Sequence, residues 1–373
     1  MDISFLLKEL QGDFYTGVPD SQLRALCDYL TCTMGISSKH IIAANEGNCV
    51  AIAAGYYLAT GNIPIVYMQN SGIGNIVNPV ASLLNEKVYG IPCVFLVGWR
   101  GEPTENDEPQ HVFQGEVSQR LLEDIGLYTI VLGEDTPEAF LKEKIKSIHH
   151  VLSEKKSVAF LIKKGALQND KQMLYKNCYD MRRELVIEHI IDVAGQDIVV
   201  STTGKASREL FEIREKKAQG HQCDFMTVGS MGHSSSIALG IALNKPSTRI
   251  WCIDGDGAVL MHMGALAVIG SNQPSNMIHI VINNEAHESV GGMPTVACNI
   301  NLRKIAEGCG YKFVSSVQTY EELDEQLLLA KERKVLSFIE VKCSIGSRKD
   351  LGRPTTTPQK NKDTFMRYLH DKD

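Results

Sequence analysis

What the chain lacks already narrows its function. No apolar run reaches the roughly 20 residues of a membrane-spanning helix, and the opening stretch MDISFLLKELQGDF breaks its apolar pattern with acidic and basic residues. Neither a signal peptide nor a membrane span is therefore predicted. Basic residues are not in excess: 38 Lys and Arg stand against 44 Asp and Glu, for a net charge of -6. They form no long run, so no nucleic-acid partner is predicted, and a small anionic ligand would have to be caught by local sites. The ten cysteines include no CxxC pair and lie mostly inside apolar segments such as IPCVFLVGW and RIWCIDG. That pattern predicts reduced core thiols of a cytoplasmic protein. The dinucleotide fingerprint is missing as well, because GIGNIV has no third glycine; this removes the nicotinamide dehydrogenase reading. No short-period repeat is present.

At 373 residues, with 43% hydrophobic and 22% charged content, the chain has room for two ordinary globular domains. Apolar runs alternate with helical patterns throughout, which predicts α/β architecture with parallel sheets. In the first half the strands are expected at His40 to Ala44, Pro64 to Gln69, Ile91 to Trp99, Tyr128 to Leu132 and Ser157 to Lys164. The expected organisation is two doubly wound domains, residues 1–165 and 184–345, a polar linker at 166–183 and a tail at 346–373, the two halves sharing one architecture.

The richest stretch runs from Trp251 to Gly292. It reads as a buried strand (Arg249 to Ile253), a Gly255-Asp256-Gly257 turn, one amphipathic helix, a second strand (Met277 to Ile282) and a polar loop opening on Asn283 and Asn284. Parallel strands joined through a helix end on the same sheet edge, so Asp256 and the Asn pair should meet there. Carboxylate and amide oxygens are hard ligands suited to Mg²⁺, and glycines let backbone N–H groups approach a diphosphate at a helix start. The turn Gly255, Asp256, Gly257, Ala258 is therefore a candidate diphosphate cradle; a capped strand-helix turn is its structural alternative. A calcium loop at Asp254 is excluded, since the apolar residues from Ala258 onward supply no oxygen ligands.

Here the chain resembles the thiamin diphosphate (ThDP) enzymes, whose signature is GDG followed, after a helix and a strand, by NN. The resemblance implies a fold of pyrimidine-binding and diphosphate-binding domains, with Asp256, Asn284 and the main-chain oxygen of Ala286 holding Mg²⁺. It also gives Glu46, in NEGNCVAIAAGYYLATG, the role of bonding the aminopyrimidine ring and activating the cofactor. By itself Glu46 reads as an acidic first-turn residue complementing a helix dipole.

Other candidates lie at strand ends. Asn70 and Ser71, in MQNSGIGNIVNP, read as cofactor contacts or as a turn before a helix. Thr203, Gly204 and Lys205 read as a diphosphate site or as a capped helix with solvated cations. Met231, isolated in GSMGH, resembles the apolar wedge under a bent ThDP, and Ser230 beside it is a candidate cofactor contact. Among loop residues, His111 and His287 are candidate proton donors, Glu288 is a candidate substrate contact, and Asp20, Ser21, Gln114, Arg348 and Arg353 are candidate anchors for the substrate. Gly291 and Gly292 are candidate hinges, and His262 reads as a packed helix residue.

The segments GVPDS, ANEGNCVAIAAGY, WRGEPTENDEPQHVFQG, TTGKASREL, GSMGHSSSIALGIAL and GSRKDLGRP extend the resemblance along essentially the whole chain, to the phosphonopyruvate and sulfopyruvate decarboxylases, which lack a middle domain. The implied activity is ThDP- and Mg²⁺-dependent decarboxylation of a small anionic 2-oxo acid, phosphonopyruvate first and sulfopyruvate as the alternative. The implied assembly is a homodimer or higher homo-oligomer with cofactor shared between subunits. One departure is Glu285, where the pattern has Gly.

Overall fold

In the computed structural model, which describes residues 1–371, the chain divides into two compact units. One holds Met1–Leu174 with Ser289–Met293, and the other holds Tyr175–Glu288 with Pro294–Asp373. The cut at Leu174 falls inside the predicted linker, but residues 175–183 belong to the second unit rather than standing between the two.

Each unit is built on a six-stranded sheet whose neighbouring strands run parallel. In the first unit the strands are Tyr15–Gly17, His40–Ile42, Ile65–Gln69, Val94–Gly98, Tyr128–Leu132 and Val158–Ile162. In the second they are Ile198–Ser201, Asp224–Met226, Ile250–Gly255, Met277–Asn283, Phe313–Val317 and Ser337–Lys342. Numbered along the chain within each unit, both sheets have the order 2-1-3-4-6-5. The shared architecture expected of the halves is thus a shared topology.

Central strands are buried on both faces, as parallel strands with helical crossovers must be. In Ile250–Gly255, Trp251 and Ile253 enter one apolar layer while Ile250 and Cys252 enter the opposite one. In each unit the connection from strand 1 leaves toward strand 2 and that from strand 3 toward strand 4. The C-terminal edge between strands 1 and 3 is therefore the topological switch point, where open α/β sheets bind ligands.

Three expected elements differ. The loop opening at Trp99 stops at Glu108, because Pro109 begins a helix running to Asp124; proline is pre-set for a first helical position. His111 and Gln114 therefore stand on a helix. The helix expected after the GDG turn is two helices, Asp256–Met261 and Gly264–Asn272, broken at His262, whose backbone leaves the helical region (φ -131°, ψ 48°). The tail contains a helix, Pro358–His370, started by the Thr357 side chain accepting from the Lys360 N–H. Its Asn361 donates to the Asp224 carbonyl (2.9 Å) and accepts from the Met226 N–H (3.3 Å), and Phe365 packs on Phe225, so it covers edge strand 224–226. No described helix is long and apolar enough to cross a membrane. All ten cysteines are free.

Candidate active site

In the first unit, Ile42 ends the second strand and Asn45 caps the next helix, its side chain accepting from the Gly47 N–H at 2.8 Å. This cap fixes Glu46 as the first helical residue. Glu46 is 4% exposed, and its carboxyl group accepts a side-chain hydrogen bond from the Asn75 amide at 2.7 Å. Burial raises its pKa above the ordinary carboxyl value, and the Asn75 bond only partly offsets this. Gly72 makes the site possible: a Cβ there would lie 2.5 Å from Cγ of Glu46 and 2.6 Å from Oε1. A dipole-complementing surface residue would be neither buried nor roofed in this way.

The switch point of the same unit holds Asp20, after strand 1, and Gln69, at the end of strand 3. The Gln69 amide donates to the buried Asp20 carboxylate at 2.5 Å, and Ser71 donates to Gln69 at 2.7 Å. Burial raises the Asp20 pKa. Arg100, a residue that motif reading missed, is gripped by Asp107 through Nε (2.7 Å) and Nη2 (2.5 Å) and lies 3.5 Å from the Ser21 hydroxyl. Asn70 is spent structurally: its amide donates to the Arg100 carbonyl and to Ser118, both at 2.8 Å, and it accepts from the Arg100 N–H. His111 has a buried Nδ1 with no protein partner, and burial together with the Arg100 charge pushes its pKa down to about 4. Gln114 follows one turn on, half-buried.

In the second unit the register pairs Gly255 with Ile282. This sets Asp256 and the Asn pair at the ends of adjacent strands, as expected. Asp256 is buried and accepts from the Thr295 hydroxyl at 2.6 Å; burial pushes its pKa up to about 7. The two asparagines divide their roles. Asn283 is sheet architecture, donating to Glu340 (2.7 Å) and accepting from the Glu285 N–H (3.0 Å). Asn284 accepts from the Ala286 N–H and donates to Glu288, both at 3.1 Å, so its amide belongs to the loop.

Around this turn stand the other candidates. Ser230 and Gly232 have left-handed backbones (φ 57° and 85°) that present Met231, and a Cβ on Gly257 would lie 3.2 Å from the Met231 methyl and 3.7 Å from the His287 ring. His262 lies against His233, with ring centroids 4.2 Å apart and the ring planes tilted by 43°. Burial holds the His287 imidazole down at about 4. Thr203 bonds the Val228 carbonyl, and Gly204, with φ 85°, turns the chain into the helix that begins at Lys205. Lys205 pairs with Glu288 at 2.9 Å, and Glu288 also pairs with Arg183, which in turn holds Glu209 at 2.7 and 2.8 Å. Glu288, expected to meet substrate, is thus engaged by two cations. Arg348 is committed as well, ion-paired with the carboxylates of Glu184, Glu212 and Asp350; Arg353 is exposed. The hinge glycines Gly291 and Gly292 have φ of 82° and 98°, conformations that glycine adopts without strain.

The comparisons with known proteins identify the family. The family model described as thiamine pyrophosphate enzyme, N-terminal TPP binding domain, matches residues 2–122, and that of the C-terminal TPP binding domain matches 202–341. The chain is 31% identical to a phosphonopyruvate decarboxylase of Streptomyces viridochromogenes, over 95% of the chain and 90% of that protein. It is 30% identical to a phosphonopyruvate decarboxylase of Streptomyces hygroscopicus, over 94% and 89%, and 30% identical to a sulfopyruvate decarboxylase of Methanosarcina acetivorans, over 84% and 85%. With both cofactor-binding domains present and named decarboxylases aligned along nearly its whole length, the chain belongs to the thiamin diphosphate-dependent decarboxylase family.

Proposed function

We propose that this enzyme decarboxylates phosphonopyruvate to phosphonoacetaldehyde and carbon dioxide, using ThDP and Mg²⁺, as a step in phosphonate biosynthesis. The observation that carries the reading is a pair of buried carboxyl groups, one per unit, each just beyond the end of a strand and each with its pKa raised by burial: Glu46 and Asp256. Burying a carboxylate with a single side-chain donor is unfavourable unless a cation or a proton-sharing partner completes it. Asp256, the Asn284 amide oxygen and the Ala286 carbonyl are hard ligands that would hold Mg²⁺, which would supply that completion. The bare backbone of Gly257 leaves room for a diphosphate beside Met231 and the Thr203–Lys205 helix start.

Bound ThDP supplies the carbon nucleophile that adds to the 2-oxo group and the ring that takes up the electron pair left by departing carbon dioxide. Glu46, its pKa raised by burial, would hydrogen-bond a ring nitrogen of the pyrimidine and favour the tautomer that acts as base. Met231, presented between Ser230 and Gly232, would be the apolar side chain that supports the cofactor. His111 and His287 are neutral near pH 7. Whichever of them protonates the product must first take up a proton, and the negative charge of the arriving substrate favours that uptake. Asp20, Ser21 and Gln114 are the proposed substrate contacts in the first unit. Arg100, beside Ser21, adds a guanidinium suited to an anionic tail. Cofactor held between the first unit of one subunit and the second unit of another makes a homodimer the smallest competent form.

Similarity to the Methanosarcina acetivorans sulfopyruvate decarboxylase keeps sulfopyruvate as the second reading. Carbon dioxide release from purified protein, compared among phosphonopyruvate, sulfopyruvate and pyruvate with ThDP and Mg²⁺ present, separates them. The highest kcat/KM is expected for phosphonopyruvate. A preference for sulfopyruvate would overturn the substrate while leaving the reaction class intact.

A further inference from the structure

Glu285 lies between the two loop residues proposed to bind Mg²⁺, and its backbone is left-handed, with φ 58°. A residue with a Cβ is strained in that region, as glycine would not be. What the Glu side chain adds is visible: its Oε1 accepts from the Tyr179 hydroxyl at 2.7 Å and from the Lys342 ammonium at 3.1 Å. Lys342 also pairs with Glu340, and its ammonium lies 5.7 Å from the Tyr179 ring centre. The backbone at this position is equally committed. The Glu285 N–H donates to Asn283 at 3.0 Å, and its carbonyl accepts from the Thr295 N–H at 2.9 Å.

Tyr179 belongs to a stretch without helix or strand, 175–182, which nevertheless grips this loop at two points, with a third added by Arg183 at the start of the following helix. Asn177 donates to the carbonyls of Asn284 and Cys343, both at 2.9 Å. Tyr179 holds Glu285, and Arg183 holds Glu288. The Met181 carbonyl accepts from the Ser344 N–H at 2.8 Å, fastening the stretch to the chain just after the last strand.

We propose that residues 175–183 are a strap that sets the metal loop, with Tyr179 acting through Glu285 as a positioning residue for the Asn284 amide and the Ala286 carbonyl. The inference rests on the ThDP and Mg²⁺ reading above. Partners of this kind, one bond removed from a metal, change metal affinity by about 10- to 100-fold when removed.

The test is a double-mutant cycle on Tyr179→Phe and Glu285→Gly, read by Mg²⁺-dependent ThDP binding in equilibrium dialysis and by the spin-resonance signal of Mn²⁺ substituted for Mg²⁺. Each single change is expected to raise the half-saturating metal concentration about tenfold, with kcat at saturating metal within about twofold of wild type. Tyr179→Phe in the Glu285→Gly background should add nothing, because the bond it removes is already gone. Glu285→Gln, which keeps an acceptor for Tyr179, should retain most of the affinity. Unchanged metal half-saturation in Tyr179→Phe, or additive effects of the two changes, would overturn the strap. Absence of Mg²⁺-dependent ThDP binding in the wild type would overturn the underlying reading along with it.

Discussion

Glu46→Gln is expected to lower kcat about a thousandfold, within the range that general acid-base groups contribute, while ThDP still binds within a few-fold of wild type. Gln keeps the shape under Gly72 and the acceptor for Asn75, but it cannot share a proton with the pyrimidine ring. Turnover and calorimetric binding together check this; near-normal turnover would remove Glu46 from its role. The same variant carries a stability signature. Burial raises the folded-state pKa of Glu46 above the unfolded value of 4.5, so between the two values the folded chain holds a proton that the unfolded chain has released. Stability supplied by the protonated carboxyl is complete below pH 4.5 and is lost as pH rises through the folded pKa. In cofactor-free protein, the urea midpoint of Glu46→Gln should match wild type near pH 4 and exceed it at pH 8.

Asp256→Ala is expected to weaken Mg²⁺-dependent ThDP binding about 100- to 1000-fold, because removing one partner of a buried charge pair costs roughly 2–5 kcal/mol and each 1.4 kcal/mol is a factor of ten. Asp256→Asn separates charge from shape. It keeps an oxygen ligand and an acceptor for Thr295 but removes the buried charge, so it should bind metal poorly while raising the unfolding midpoint of the metal-free chain. Wild type should gain thermal stability from Mg²⁺ plus ThDP, by mass action; Asp256→Asn should gain little. Equal stabilisation of both proteins by the ligands would contradict the assignment of Asp256 to the metal.

Legibility of the sequence followed the range of the interactions. Tyr128–Leu132 was readable to the residue because its boundaries are local, and the edge holding Asp256 and the Asn pair was readable because parallel crossovers dictate it. Signals for two elements were present but outweighed: Pro109 and Thr357-Pro358 mark helix starts, yet one follows a long polar loop and the other a cluster of charge, Gly and Pro. The Arg183, Glu209, Glu288, Lys205 network could not be read from the sequence. Its partners are as much as 105 positions apart, and polar residues 166–183 carry no periodicity to announce where they pack. Nor does the sequence reveal that Asn70 is consumed by Arg100 and Ser118 while Asn284 faces the loop, since both are Asn at strand ends. Glu285 is the instructive case: the departure from Gly keeps the left-handed turn and adds an anchored carboxylate.

In the proposed dimer, one cofactor is held at Asp256 of one subunit and activated by Glu46 of the other. Co-expression of Glu46→Gln and Asp256→Ala chains under two different tags tests it directly. Each variant alone should be nearly inactive. In mixed dimers one of the two sites carries both defects while the other is fully wild type, so by random pairing the mixture should recover about a quarter of wild-type decarboxylation. A mixture that stays inactive although mixed dimers are isolated on both tags would contradict the shared site.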